Sequence, residues 1–216
     1  GDRVLEDRAL MRRELALEVL GEHLSTVMPG AFTVVVGNPF AKMRGQAAQV
    51  RLFEEAAVKG LRRGAGGRLR IAGVEHPELS AEALRDPSSV PIPPDATTPL
   101  SFMWIEGAWD RVLSRYPETA LVVSLVGVPA DVHRLEAWQG GRVKFAFLLP
   151  DFRVLGDREA VIGAFKSGKI VAAVINHPTA PPESEPVVRD RRKEFERRFI
   201  LVTVDNCEAV LSALLR

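Results

Sequence analysis

Cysteine occurs once, at Cys207, which excludes an intramolecular disulfide and a cysteine-based zinc site. Tyrosine also occurs once and tryptophan three times in 216 residues, too few for a platform that stacks nucleic-acid bases. An excess of one charge is missing as well. The chain has 29 Lys and Arg against 28 Asp and Glu, a formal net charge of +1. Near-neutrality gives no general attraction to nucleic acid or anionic lipid. No apolar run reaches the roughly 20 residues of a membrane span. No signal peptide is visible, but the chain starts at Gly1 without a Met, so this says nothing about compartment. Internal repeats and low-complexity tracts are absent.

What is present is an alternation of apolar strands and helix-length segments. Phe32–Val36, Arg68–Val74, Ala120–Val126, Val143–Leu149, Ile170–Ile175 and Phe199–Val204 read as six strands. Strands apolar on both faces belong to a sheet covered by helices on both sides. The expectation is an α/β three-layer sandwich whose six strands lie side by side in a mostly parallel sheet, pointing the same way. Residues 1–29 read as an N-terminal amphipathic helix and 30–216 as one α/β domain. The helix, Arg3 to Thr26, carries Leu10, Met11, Leu15, Val19, Leu20 and Leu24 at helical spacing and ends at Pro29-Gly30. A second helix, Gln46–Arg63, sets Val50, Phe53, Ala57 and Leu61 on one face and is stopped by Gly64-Ala65-Gly66-Gly67. A third is expected at Leu100–Arg115 and a last at Glu208–Leu215. Asp86 to Leu100 contains Pro87, Pro91, Pro93, Pro94 and Pro99, which exclude helix and central strand. This is a stiff surface loop, a lid or a packing arm.

Parallel sheets place ligands at the carboxyl ends of their strands. The turns there are Gly37-Asn38-Pro39, Glu75-His76-Pro77, Pro150-Asp151 and Asn176-His177-Pro178. None is a dinucleotide fingerprint or a P-loop, and no cofactor is expected. Ser124 lacks the flanking glycines of a nucleophile elbow. His76 and His177 follow strands and share one rim, while His23 and His133 fall on helices without a second ligand at metal spacing. Asp151 can accept hydrogen bonds from a hydroxylated ligand, or it caps a turn. Trp104, Trp109 and Trp138 read as packing residues. The run Arg189 to Arg198 is basic but interrupted by Asp190, Glu194 and Glu196, and reads as a solvated face.

Several segments carry a family likeness. Ala108–Pro117 is similar to a helix before a "RYPD" turn, and Val123–Asp131 stands where an "ANDPMA"-like loop would. Val143–Asp151 stands where "VVGFD" would, and Phe165–Val174 is similar to "IKDGKIDATV". Asn176-His177-Pro178 replaces "QDP", and Leu201–Asn206 is similar to "LVTKDNV". In order, from about Thr33 to Arg216, these segments resemble the second lobe of the bacterial sugar-type (type I) periplasmic binding proteins, which share their fold with LacI-type ligand domains.

The resemblance implies an exported, non-enzymatic domain that binds a small polar or sugar-like solute. It places Arg51 near an arginine that holds sugar hydroxyls, and Asp151 near the acid after "VVGFD". The residues expected to bind ligand are Asn38, Arg51, His76, Asp151, Asn176 and His177. Two departures stand out. Residues 1–29 cannot supply the family's other lobe. Val126-Gly127-Val128 replaces its polar Asn-Asp, and apolar groups cannot satisfy a buried hydroxyl, at about 1–3 kcal/mol each. The expectation is therefore a half-cleft covered by a second copy or a protein partner. The competing expectations are a structural or interaction domain with a degenerate site, and an enzyme using His76 or His177 as a base.

Overall fold

All six apolar segments form strands in the computed structural model, which describes residues 2–215. They are β1 (Phe32–Val36), β2 (Arg70–Glu75), β3 (Leu121–Ser124), β4 (Lys144–Leu148), β5 (Ile170–Asn176) and β6 (Phe199–Val202). One sheet contains them in the order β2-β1-β3-β4-β5-β6. The first five are parallel, whereas β6 runs antiparallel to β5. The expected common direction therefore fails at β6, and the connection explains why. A parallel return needs a crossover back to the opposite end of the sheet. Here the chain leaves β5 at Asn176 and enters β6 at Phe199, directly opposite, without crossing.

The helices are α1 (Asp2–Val27), α2 (Ala48–Ala65), α3 (Ala81–Arg85), α4 (Ala108–Leu113), α5 (Glu136–Gln139), α6 (Arg158–Lys166), α7 (Arg191–Arg198) and α8 (Cys207–Leu214). The single helix expected over Leu100–Arg115 is instead a 3-10 turn, Pro99–Phe102, followed by α4. Gly107 separates them with a φ of 74°, a backbone conformation that helix cannot continue through.

Alternation along the strands builds two cores. Phe145 and Phe147 of β4 face one side, packing with Trp109 of α4, Phe165 of α6 and Leu211 of α8. Ala146 and Leu148 face the other, packing with Leu17 and Leu20 of α1, Ala57 and Leu61 of α2, and Phe195 of α7. The strand order reverses direction at β1, and the covering helices change face there too. Uniformly right-handed crossovers require that coupling. The gap between β1 and β3 is thus the topological switch point.

The buried stripe on α1 is Leu15, Ala16, Leu17, Leu20 and Leu24, so the expected face is rotated: Met11 is 51% exposed. Contact with α2 sets this rotation. A Cβ on Gly60 would lie 2.0 Å from the carbonyl oxygen of Glu14, and one on Gly64 would lie 2.0 Å from that of Glu18. On the α1 side, a Cβ on Gly21 would lie 2.7 Å from the carbonyl oxygen of Leu61. The two helices touch backbone to backbone. The Glu14 carboxylate closes the same crossing with a hydrogen bond from Arg63 at 2.5 Å.

Gly60→Ala should therefore destabilise strongly, by about 3 kcal/mol or more in urea unfolding, because the obstacle is main chain. Gly163→Ala is the control. It is an exposed residue of α6 with nothing within 4 Å of the new carbon, and should be neutral or stabilising by up to about 1 kcal/mol.

Candidate functional site

Both α1 and α2 run against the parallel strands, so their first turns overhang the carboxyl rim. Beneath them lie two adjoining crevices. One, of about 130 Å³, sits at the switch point and is lined by Arg13, Asn38, Val50, Phe53, Glu54, Ala57, Leu125 and Val126. The other, of about 370 Å³, lies past the ends of β4 and β5. Its walls include Ala9, Arg12, Arg13, Phe53, Leu148, Leu149, Asn176, Pro181, Glu183 and Arg198. Arg13 and Phe53 belong to both.

The six expected ligand residues do not form one cluster. Asn38 lines the smaller crevice, but its Oδ1 accepts the Phe40 amide at 2.9 Å and caps a 3-10 turn. His76 Nε2 lies 2.8 Å from Glu54 Oε2, and Glu54 Oε1 accepts the Asn38 amide at 2.8 Å. Glu54 thus ties the turns after β1 and β2 together. Gly37 makes room for it, since a Cβ there would lie 2.1 Å from Glu54 Oε1. Arg51 points away: it is exposed on α2, lies 3.7 Å from Glu55 and lines neither crevice. Spacing four residues apart on an outer helix face favours this solvated pair.

Asp151 is buried, and its oxygens are committed to the protein itself. They accept the Thr97 amide at 3.1 Å, the Arg153 amide at 3.1 Å and Arg153 Nε at 3.0 Å. Arg153 also reaches Asp95. This clip fastens the proline-rich arm over the end of β4. Burial alone would raise the Asp151 carboxyl pKa, but the Arg153 side chain and the two amides outweigh it and hold the group below its ordinary value.

Asn176 is exposed at the end of β5 and lines the larger crevice. His177 lies next door but contributes to a separate depression between α1, α7 and β6. Its Nδ1 accepts from the Thr179 amide at 3.1 Å and lies 2.9 Å from Thr179 Oγ1. Among the described residues, no group of three or more His, Cys, Asp or Glu could hold a metal ion.

The basic run before β6 is not simply solvated. Glu194 and Arg198 are buried and joined at 2.7 Å. Arg198 also donates to the carbonyls of Pro181, Pro182 and Glu185, while Glu194 Oε2 accepts the Val188 amide at 2.8 Å. Burial would raise the Glu194 pKa; hydrogen bonds from Arg198 and Val188 reverse that, and the net shift is downward. From α1, Arg12 Nη2 donates to the Glu183 carbonyl at 2.6 Å and Arg8 Nη1 to that of Ser184 at 2.8 Å. Three arginines thus fix the loop after β5 as the outer wall of the larger crevice.

Arg12 and Arg13 escape the apolar reading of α1. The signal for Arg12 is positional. Counting back in fours from Leu24 passes Leu20 and Ala16 and arrives at Arg12, on the buried stripe.

Neither a protein-family model nor a curated protein matches the chain. Solved structures do. A sugar-binding protein of a sugar ABC transporter from Bacillus halodurans is 13% identical with a TM-score of 0.50, over 91% of this chain and 64% of that one. The arabinose-binding protein AraP from Geobacillus stearothermophilus gives 13%, 0.50, 91% and 62%. An ABC transporter solute-binding protein from Burkholderia graminis, in complex with D-arabinose, gives 11%, 0.50, 90% and 60%. The chain therefore spans less than two thirds of the length of these proteins. At such identities the likeness is one of fold: an α/β lobe of periplasmic-binding-protein type.

Two clips at the rim predict distinct behaviour. Glu194→Gln leaves Arg198 buried beside a neutral partner and should cost about 3–5 kcal/mol, with faster proteolysis between Pro178 and Val188. Asp151→Asn should cost about 1–3 kcal/mol near neutral pH. The folded pKa of Asp151 lies below the unfolded value, about 3.9. The wild-type advantage is thus complete above that value and shrinks as pH falls through it toward the folded pKa. Unfolding curves at pH 7 and pH 3 measure both.

Proposed function

We propose that this chain is a non-enzymatic binding domain for a small polar, sugar-like solute, held at the carboxyl rim beneath α1 and α2. The observation that carries the reading is the pair of adjoining crevices at the switch point and the ends of β4 and β5. That is where ligands of open parallel sheets bind. The combined space suits a single small solute. Asn176 and Arg13 supply free polar groups, and Phe53 an apolar wall. The sugar-binding function named for the Bacillus and Geobacillus proteins agrees with this reading. The ABC-transporter role named for the Bacillus protein also favours an exported protein.

In this reading the chain is one lobe, equivalent to the second lobe of a two-lobed binding protein. A second copy or a protein partner closes the rim. Val4, Leu5, Met11 and Leu52 favour such a cover, because these exposed apolar side chains lie on the overhanging parts of α1 and α2.

A second reading is a structural or interaction domain whose ligand site has decayed. What favours it is that Asn38 Oδ1, His76 Nε2 and the Asp151 oxygens are all used in internal hydrogen bonds. A thermal-shift screen of pentoses, hexoses and related polar solutes separates the two. At a hundredfold excess over Kd, binding adds about 2.7 kcal/mol and raises the melting temperature by roughly 5–10 °C. The rise should disappear in Asn176→Ala. A silent screen together with a stable dimer in light scattering would favour the second reading.

A further inference from the structure

The larger crevice holds more positive charge than the protein neutralises. Three guanidinium groups line it: Arg12, Arg13 and Arg198. Arg198 is balanced by Glu194, and its donors are taken up by that carboxylate and by loop carbonyls.

The two on α1 are not balanced. Arg12 is 6% exposed, and among the described residues its one hydrogen bond runs from Nη2 to the main-chain carbonyl of Glu183. Its Nε is buried and has no partner among the described residues. Arg13 makes no hydrogen bond or ion pair with any described residue, and its guanidinium rests 5.0 Å from the centre of the Phe53 ring. Burial lowers the pKa of both; at Arg12 the charges of Arg198 and Arg8 add to the effect, and those of Glu183 and Glu194 oppose it without reversing it. The nearest acids fill the gap only in part. Glu54 is engaged by the Asn38 amide and His76. Glu183 and Glu194 both act on Arg12, but the Glu183 carboxylate is exposed on the outer lip and Glu194 is bonded to Arg198.

Resting on the solute-binding reading, we infer that the solute carries an anionic group, a carboxylate or a phosphate, which Arg12 and Arg13 receive at the larger crevice. Hydroxyls could occupy the free donors but would leave the buried Arg12 and the half-buried Arg13 without a facing anion. An oxyanion meets both needs. Its oxygens match the forked N–H geometry, and its charge balances the pair. Phe53 holds the Arg13 guanidinium over its ring, in place to receive it. The neutral remainder of the solute then reaches Asn176 and the smaller crevice.

Calorimetric titration of the full chain at low ionic strength tests this, with D-glucuronate, D-glucose 6-phosphate and D-glucose as probes. At least one charged sugar should bind about tenfold or more tightly than glucose, and added salt should weaken it. Whichever charged sugar binds tighter identifies the oxyanion. Arg12 is buried and its replacement endangers folding, so Arg13→Gln is the decisive variant. It should lose about tenfold in affinity for the charged sugar while its melting temperature and circular dichroism stay close to wild type. Equal binding of glucose and its charged derivatives overturns the proposal, as does a charge preference that survives Arg13→Gln. Failure of both charged probes also overturns it. A neutral hit in the broader solute screen would then leave the binding domain standing without the anion.

Discussion

The close contact between α1 and α2 shapes the carboxyl rim of this molecule. Gly60 and Gly64 let the main chain of α1 approach α2 to a distance no other residue permits. That contact leaves no freedom of rotation to α1. With Glu14 pressed on Gly60, the preceding Arg13 must lie over Phe53, and Arg12 must join the stripe that faces the sheet. A pair of glycines on one helix thereby positions two cations on another. The order of causes runs from a missing side chain, to a helix crossing, to the electrostatics of the crevice beside it.

The rim itself is built from polar residues that mostly serve the fold. Glu54 joins the turns after β1 and β2 through Asn38 and His76. Asp151 and Arg153 clamp the proline-rich arm at the end of β4. Glu194 and Arg198 organise the loop after β5. Each is a charged group placed where a chain must turn without regular hydrogen-bonding partners. Buried amides and carbonyls there would otherwise go unpaired. The residues left with free donors, Arg13 and Asn176, stand out against that background.

Much of this architecture is legible in the residues. Runs such as Phe32–Val36 and Ile170–Ile175 mark the strands, because a strand buried on both faces must be apolar throughout. The placement of His76, Asp151 and Asn176 after parallel strands follows from the same pattern. The direction of β6 is not legible, since an apolar run such as Phe199–Val202 is compatible with either pairing. The role of Asp151 was open between ligand contact and cap, and the partners that decide it, Thr97 and Arg153, are one distant and one adjacent in sequence. Arg51 and Arg13 illustrate the remaining limit. Both are arginines on amphipathic helices, and only the crossing of α1 with α2, set by glycines far along the chain, determines which of them faces the crevice.

The loop after β5 has one property that bears on how such a domain could diversify. Arg8, Arg12 and Arg198 grip it entirely through main-chain oxygens of Pro181, Pro182, Glu183, Ser184 and Glu185. Carbonyls are the same whatever amino acid bears them. Most side chains along this stretch are therefore open to exchange by mutation while the conformation is retained, which makes the segment an evolvable wall on a fixed frame of guanidinium groups.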